Sequence, residues 1–153
     1  MTSTFKRILL TWKTVLRLLP ILVIPGYIFT IPYLVEVVDV SYSVEYHVPE
    51  YFKLTIEIEM KNHALLDVTV GGMLVLHCAF MNGSKGEITY PINSRIVKPH
   101  SSETLEAIIL FTFTTPEKPG AIYAYSLDAV IYVTGVLSSR VIEVKSIYSI
   151  GGV

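Results

Sequence analysis

The side chains best suited to metal binding or nucleophilic catalysis are four histidines and one cysteine. The histidines His47, His63, His77 and His100 are widely separated, and none lies at a recognised ligand spacing from Cys78 or from a carboxylate. His77 and Cys78 are neighbours in an alternating segment, so their side chains should point to opposite faces of a strand. We interpret them as surface histidines and a buried cysteine, and we predict neither a metal site nor a cofactor.

Two further patterns could support catalysis. Glu57 and Glu59 lie on one face of a predicted strand, about 7 Å apart, but acid–base work needs a cleft that shifts their pKa values. Ser101 and Ser102 follow His100 without a nucleophile elbow, and there is no glycine-rich phosphate loop. We therefore predict that the protein is not an enzyme.

One short motif points to covalent modification. Asn82-Gly83-Ser84 is the only N-glycosylation sequon in the chain, and Asn-Gly is also a strong hairpin signal. Asn82 is thus a candidate glycosylation site in a predicted surface turn, provided that this part of the chain lies outside the cell.

Composition and charge limit the class of protein. The 153 residues are 52% hydrophobic and only 16% charged, which is more apolar than a typical soluble domain. Residues 1–17 carry four basic residues and no acid, whereas the rest carries eight basic and thirteen acidic residues. The acidic body argues against nucleic-acid binding. The absence of glutamine favours a hyperthermophilic, archaeal source.

The N-terminal segment, residues 1–35, has the features of a membrane anchor. Apolar residues recur at helical spacing over about residues 4–19, which predicts a basic amphipathic helix. From Leu18 to Val35 there is no charge, and this length is about the lower limit for a membrane span. The residues that we assign to the anchor are Lys6, Arg7, Trp12, Lys13, Arg17, Leu18, Pro20, Pro25, Tyr27, Pro32 and Val35.

Three prolines leave the form of the anchor open. Pro20, Pro25 and Pro32 interrupt the apolar run, and each removes a backbone donor. The segment could be a single kinked span, an interfacial helix followed by an apolar tether, or a cleaved signal peptide without an A-x-A-like site. Positive residues favour the cytoplasmic side, so a single-pass protein would have its N-terminus in the cytoplasm and its body outside.

Residues 36–153 alternate between apolar and polar side chains, as half-buried strands do. We expect a first strand with Val38, Val40, Tyr42, Val44 and Tyr46 facing inward, and a turn at Pro49-Glu50. The remaining predicted inner rows are Phe52 to Met60, Leu66 to Val70, Leu74 to Phe80, Leu105 to Phe113, Tyr123 to Val133, and Ile142, Val144, Tyr148 and Ile150.

Turn signals separate these rows. Gly71-Gly72 predicts a turn between a third and a fourth strand, and Pro91 limits residues 86–97 to short edge strands. Residues 98–102 and 115–120 are predicted loops. Seven or eight short strands without an intervening helix predict an all-β sandwich of the immunoglobulin or fibronectin III kind, preceded by one N-terminal transmembrane or interfacial helix.

Residues 36–150 resemble the water-stress-and-hypersensitive-response domain of group 2 late-embryogenesis-abundant proteins, in its archaeal membrane-anchored form. The segments that carry the resemblance are Leu54 to Asn62, Phe80-Met81-Asn82-Gly83, Lys98 to Ser102 and Tyr132 to Val136. The asparagine–proline pair of that family is Asn62-His63 here. The resemblance implies a β-sandwich without catalytic residues and a role in stress protection.

Two functions follow as hypotheses. The first is a non-catalytic, membrane-anchored binding or stress-protective module that acts through its sheet surfaces. The alternative is a structural subunit of a surface filament or envelope complex, assembled by donation of the strand at residues 36–48. Its partners would be membrane lipid at the N-terminus and other proteins or a second copy at the sandwich. The tyrosines, among them Tyr132 opposite an inner row, are the most suggestive contact residues.

Overall fold

A long helix leads directly into the β domain. In the computed structural model, the backbone is described for residues 2–47, 51–80, 82–112 and 122–150, and the side chains are described except at 2–13, 22, 112, 122–124 and 150. Helix α1 spans Thr2–Thr30 and continues through Pro20 and Pro25. A 3-10 turn, Ile31–Leu34, follows it. The apolar run after residue 19 is therefore helical, although each proline costs one backbone hydrogen bond.

Seven strands make up the rest of the described chain, as the alternation predicted. Their bounds are β1 Val35–His47, β2 Tyr51–Asn62, β3 Val68–Phe80, β4 Lys85–Val97, β5 Ser102–Thr112, β6 Ile122–Thr134 and β7 Ser139–Ile150. The expected turn at Pro49-Glu50 and the loop at residues 115–120 lie outside the described residues.

The strands form two antiparallel sheets, in the orders β1-β2-β5 and β4-β3-β6-β7. An immunoglobulin constant domain has a four-stranded sheet and a three-stranded sheet. Its fourth strand belongs to the four-stranded sheet, together with the first, second and fifth strands. Here β4 instead pairs with β3, so the second sheet has the four strands. The predicted all-β sandwich with one N-terminal helix is confirmed.

The core lies between the sheets and is formed by the inward rows of the strands. Leu54, Ile56, Ile58 and Met60 of β2 are almost fully buried, and so are the alternate residues of β3, β5 and β6. Ile31 of the 3-10 turn and Val35, the first residue of β1, are also buried in this core. The further buried members are Val68, Val70, Leu74, Leu76, Cys78, Leu105, Ala107, Ile109, Leu127, Ala129, Ile131 and Val133.

The predicted turn at Gly71-Gly72 is wrong, because β3 runs unbroken through both glycines. A Cβ atom at Gly72 would lie 2.2 Å from the carbonyl oxygen of Val130 on β6, and one at Gly71 would lie 2.6 Å from Oγ of Ser94 on β4. The register also shifts between Val70 and Gly72. The glycines thus serve a close approach of neighbouring strands and do not end the strand.

Four predicted inward residues of the described chain are exposed: Val38, Tyr42, Tyr46 and Leu66. The register of β1 shifts between Val37 and Asp39, so Val37 packs against the core and Val38 is exposed. A β-bulge of this kind reverses the alternation that the sequence predicts. Leu66 precedes β3 and is exposed in the connection from β2.

Strand β4 is one continuous edge strand that contains Pro91. An edge strand tolerates proline because one row of its backbone groups has no partner strand. Asn82-Gly83 lies in the β3–β4 hairpin, as predicted, and Gly83 has φ +82°.

Successive strands run in opposite directions along the sandwich, which gives it two distinct ends. The basal end carries the start of β1 and the loops at residues 63–67, 98–101 and 135–138. The distal end carries the β3–β4 hairpin and the ends of β1, β5 and β7. Helix α1 joins the sandwich at the basal end.

Candidate functional site

Asn62 organises the basal end. Its side chain is fully buried, and its Nδ2 donates to the carbonyl oxygens of Leu66 at 2.8 Å and Val97 at 3.1 Å. Its Oδ1 accepts from the backbone N–H of Ala64 at 2.8 Å, and its own N–H donates to Ser101 O at 2.9 Å. One side chain therefore joins the β2–β3 connection to the end of β4, which holds the basal loops in a fixed arrangement.

The last turns of α1 dock onto this base. The Tyr27 hydroxyl accepts a hydrogen bond from the backbone N–H of Leu65 at 2.7 Å, and the Ser138 hydroxyl donates to the carbonyl of Phe29 at 2.7 Å. Pro32 is buried, and a Cβ at Gly135 would lie 3.2 Å from its ring. The helix end is thus tied to two basal loops.

Beyond the docked turns, residues 15–26 of α1 are largely apolar, and every side chain described among them is exposed. Thr14–Leu34 is long and apolar enough to cross a membrane. Its large side chains are exposed on every side, whereas a helix in a soluble fold buries one face. The exposed members are Val15, Leu16, Leu18, Leu19, Ile21, Val23, Ile24 and Phe29.

The predicted anchor residues divide into three groups. Lys6, Arg7, Trp12 and Lys13 lie on α1, but their side chains are outside the described part of the chain. Arg17, Leu18, Pro20 and Pro25 are exposed on the helix. Tyr27 and Pro32 instead contact the sandwich, and Val35 is the first residue of β1 and part of its core, which the sequence did not indicate.

An aromatic cluster occupies the distal half of the sandwich, where it links both sheets. Phe111 stacks on Phe52 at 4.6 Å and on Tyr125 at 5.0 Å between ring centroids. Tyr148 of β7 lies 4.9 Å from Tyr42 of β1 and 5.8 Å from Tyr125. Tyr46 completes the distal aromatic cluster, which we define as Tyr42, Tyr46, Phe52, Phe111, Tyr125 and Tyr148.

The cluster is buried at its centre and open at its edge. Tyr125 is 6% exposed, whereas Tyr42 is 53% and Tyr46 is 66% exposed. Burial, followed by the neighbouring Tyr148, raises the pKa of the Tyr125 hydroxyl far above its ordinary value. That hydroxyl has no hydrogen-bond partner among the described residues. The two tyrosines of β1 therefore lie at the exposed edge of the cluster and not in the core.

Three of the histidines, His47, His63 and His77, contact carboxylates or rings on the surface. His77 lies between Glu87 of β4 and Asp128 of β6, with N–O distances of 3.0 and 3.4 Å. His63 Nε2 lies 2.7 Å from Glu36 Oε1, and this hydrogen bond is the main cause that lowers the pKa of Glu36.

The remaining candidate residues stay apart from one another. His47 stacks on Tyr51 at 4.7 Å, and His100 is exposed in a loop with φ 55°. Glu57 is exposed on the outer face of β2. Among residues 2–47, 51–80, 82–112 and 122–150, no three His, Cys, Asp or Glu side chains are grouped so that they could hold a metal ion.

Cys78 is buried, and this burial raises the pKa of its thiol. The sequence prediction of a buried cysteine is confirmed. Its neighbour His77 faces the opposite side of β3, as alternation requires.

The glycosylation sequon forms a compact exposed turn at the distal end. Asn82 Oδ1 accepts hydrogen bonds from the backbone N–H of Ser84 at 3.0 Å and from its hydroxyl at 2.6 Å. The Asn82 side chain is exposed. Its modification stays a prediction.

Comparison with known proteins does not assign the chain to a family. No family model matches the chain. No curated protein matches it.

Solved structures are similar at low identity. A Northeast Structural Genomics Consortium target is 9% identical, covering 73% of this chain and 82% of its own, with a TM-score of 0.48. A protein from Archaeoglobus fulgidus is 13% identical, covering 72% and 97%, with a TM-score of 0.41. A Bacteroides uniformis beta-glucuronidase is 16% identical over 70% of this chain and 13% of its own, with a TM-score of 0.42. None of them bears on the water-stress resemblance, which stays a prediction.

Proposed function

We propose that the protein is a single-pass membrane protein whose β-sandwich acts by binding, without turnover, at the outer membrane surface. The observation that carries the proposal is the junction at the basal end. There an exposed apolar helix is hydrogen-bonded to the sandwich through Tyr27 and Phe29. A helix with apolar side chains exposed all round is unfavourable in water, because its hydrophobic surface stays hydrated. In a bilayer the same surface lies against lipid chains.

Charge supports the orientation. Lys6, Arg7, Lys13 and Arg17 precede the apolar stretch, and the body that follows is acidic. Basic residues flanking a span are retained in the cytoplasm, so the sandwich would lie outside. The docked Tyr27 also favours a helix that remains attached over a cleaved signal peptide.

The distal aromatic cluster is the surface that we propose for binding. Exposed aromatic rings supported by a rigid core are enriched in protein interfaces, because they bury much area at little entropic cost. This edge lies at the end of the sandwich opposite the helix, so a partner could reach it while the base faces the membrane. The stress-protective form of this role rests on the water-stress resemblance.

Binding can be tested with the full chain in lipid nanodiscs. We expect it to slow aggregation of a heat-stressed client enzyme, and the double substitution Tyr42→Ser and Tyr46→Ser to remove most of this effect. Tyr132→Ser is the matched control, since Tyr132 is exposed on the outer face of the other sheet. No effect of the unmodified protein at any ratio would count against a protective role.

Strand addition is the second candidate. Residues 35–47 pair with β2 of the same chain, so donation to a neighbour would require this strand to leave its own sheet. The outer edge of β1 has no partner strand among the described residues and could accept one. A monomeric chain in nanodiscs, with β1 protected from hydrogen exchange, would exclude donation of this strand.

A further inference from the structure

Six exposed apolar side chains surround the point where α1 meets the sandwich. They lie at the end of the helix, in the 3-10 turn and in two basal loops. Leu65 and Val136 are each 65% exposed, although they are loop residues on an otherwise acidic domain. We call this set the apolar collar: Phe29, Tyr33, Leu65, Leu66, Val136 and Leu137.

Hydrogen bonds hold the collar beside the helix. The Leu65 backbone is bonded to Tyr27, and the loop that carries Val136 and Leu137 is bonded to Phe29 through Ser138. The Gly135 N–H donates to Ser138 O at 2.9 Å, which closes that loop. The apolar tips are therefore fixed around the helix and are not independent surface residues.

The length of the helix decides what the collar meets. Arg17 and Tyr27 are ten positions apart, which is about 15 Å along a helix. Even from Lys13 the distance to Tyr27 is about 21 Å, whereas the hydrocarbon core of a bilayer is about 30 Å thick. If the basic residues stay at the inner surface, the free helix is too short to hold the sandwich clear of the membrane.

We propose that the apolar collar is immersed in the outer interface of the bilayer that α1 crosses, so that the sandwich is seated on lipid. The inference rests on the proposed membrane span and adds a second lipid contact to it. Immersion removes the collar from water and makes up the missing apolar length.

Neighbouring charged side chains fit this placement. Arg140 lies over the Tyr33 ring, with its guanidinium carbon 5.5 Å from the ring centroid, and Lys98 is exposed in the third basal loop. Arg, Lys and Tyr at this depth can contact lipid phosphates. Acidic groups also lie at the basal end: Asp67 and Glu103 are exposed, and Glu36 is paired with His63.

The test uses tryptophan emission in vesicles of phosphatidylcholine brominated on its acyl chains. Trp12 is the sole tryptophan, so Leu65→Trp in a Trp12→Phe background gives one reporter at the collar. We expect its emission to be shifted to shorter wavelength and mostly quenched by brominated lipid. Val136→Trp in the same background should behave alike, which guards against a local defect at one site.

Tyr46→Trp in that background is the matched control, since Tyr46 is 66% exposed at the distal end. Its emission should be unquenched. If both collar reporters are as unquenched as the control, the inference is wrong, and a contact of the collar with a protein partner would be the remaining explanation. Ile21→Trp in that background separates this failure from that of the span, because Ile21 is exposed within the apolar stretch of α1. If brominated lipid does not quench this reporter, the proposed membrane insertion itself fails.

Discussion

At the scale of single residues, the polar side chain with the largest structural role is Asn62. It is fully buried and satisfies two carbonyls and one backbone N–H in the basal loops. Removal of such a partner leaves buried groups unsatisfied, which costs more than the bond itself contributes.

Asn62→Ala should therefore lower the free energy of unfolding by about 3 kcal/mol. The measurement is denaturant unfolding of the full chain in detergent micelles, followed by far-UV circular dichroism. Asn93→Ala is the control, because Asn93 is exposed on β4 and its loss should change stability by less than about 0.5 kcal/mol. Equal losses for the two variants would refute the role given to Asn62.

The exposed pair of Glu36 and His63 gives a prediction about pH. The hydrogen bond from His63, and then its charge, lower the pKa of Glu36 below its ordinary value. A lowered carboxyl pKa means that the stabilising contact is present above the ordinary Glu pKa and is lost as pH falls through the lowered one.

His63→Ala should raise the Glu36 pKa toward its ordinary value, because both the hydrogen bond and the charge attraction are removed. The measurement is an NMR titration of the Glu36 carboxyl carbon in the full chain. His47→Ala should leave that pKa unchanged, since His47 lies at the other end of β1. An unchanged Glu36 pKa in His63→Ala would contradict the assigned cause.

The alternation of apolar and polar residues predicted most of the buried side chains, but it did not predict which side chains form hydrogen bonds. The inward rows of β2, β5 and β6 follow directly from alternation, and so does the burial of Cys78. The roles of Asn62 and Tyr27 depend on loops that meet only in the folded chain. Val38 was misplaced because a β-bulge has no clear signature in this sequence.

At the scale of elements, β3 is the strand on which the large sheet depends. It pairs with both β4 and β6, and Gly72 brings its backbone against Val130. A glycine pair usually predicts a turn, but close approach between strands requires the same residue.

Gly72→Ala should destabilise the domain by about 1–3 kcal/mol. The added Cβ would lie against the carbonyl oxygen of Val130, which cannot shift unless the backbone of β6 shifts with it. Thermal unfolding of the full chain in micelles provides the comparison. Gly86→Ala is the control: its Cβ would meet the end of the Phe80 ring at 3.1 Å, and that side chain can rotate away. A larger loss of thermal stability for Gly86→Ala than for Gly72→Ala would contradict the close backbone contact at Gly72.

The helix was harder to delimit than the strands. Prolines at positions 20 and 25 suggested a break, yet α1 extends to Thr30. Periodicity also could not show that Ile31 and Val35 enter the sandwich core, because their burial arises from docking against distant loops.

At the scale of the whole molecule, the fold places the exposed apolar helix and the open aromatic edge at opposite ends of one axis. The basal end carries the apolar helix and the apolar collar, and the distal end carries the sequon and the open edge of the aromatic cluster. Alternation and the change in charge near residue 36 predicted the two parts. Their junction could not be predicted, since it depends on hydrogen bonds between residues far apart in sequence.

The central claim is that α1 spans the membrane with its basic end inside and the sandwich outside. A membrane-impermeant maleimide applied to intact cells tests it with Lys85→Cys at the exposed distal hairpin and Ser3→Cys near the N-terminus. The unmodified chain is the blank, because Cys78 is buried and its raised pKa keeps it unreactive. We predict labelling of Lys85→Cys in intact cells and of Ser3→Cys only after lysis. Labelling of Ser3→Cys in intact cells, or of Lys85→Cys only after lysis, would contradict the account.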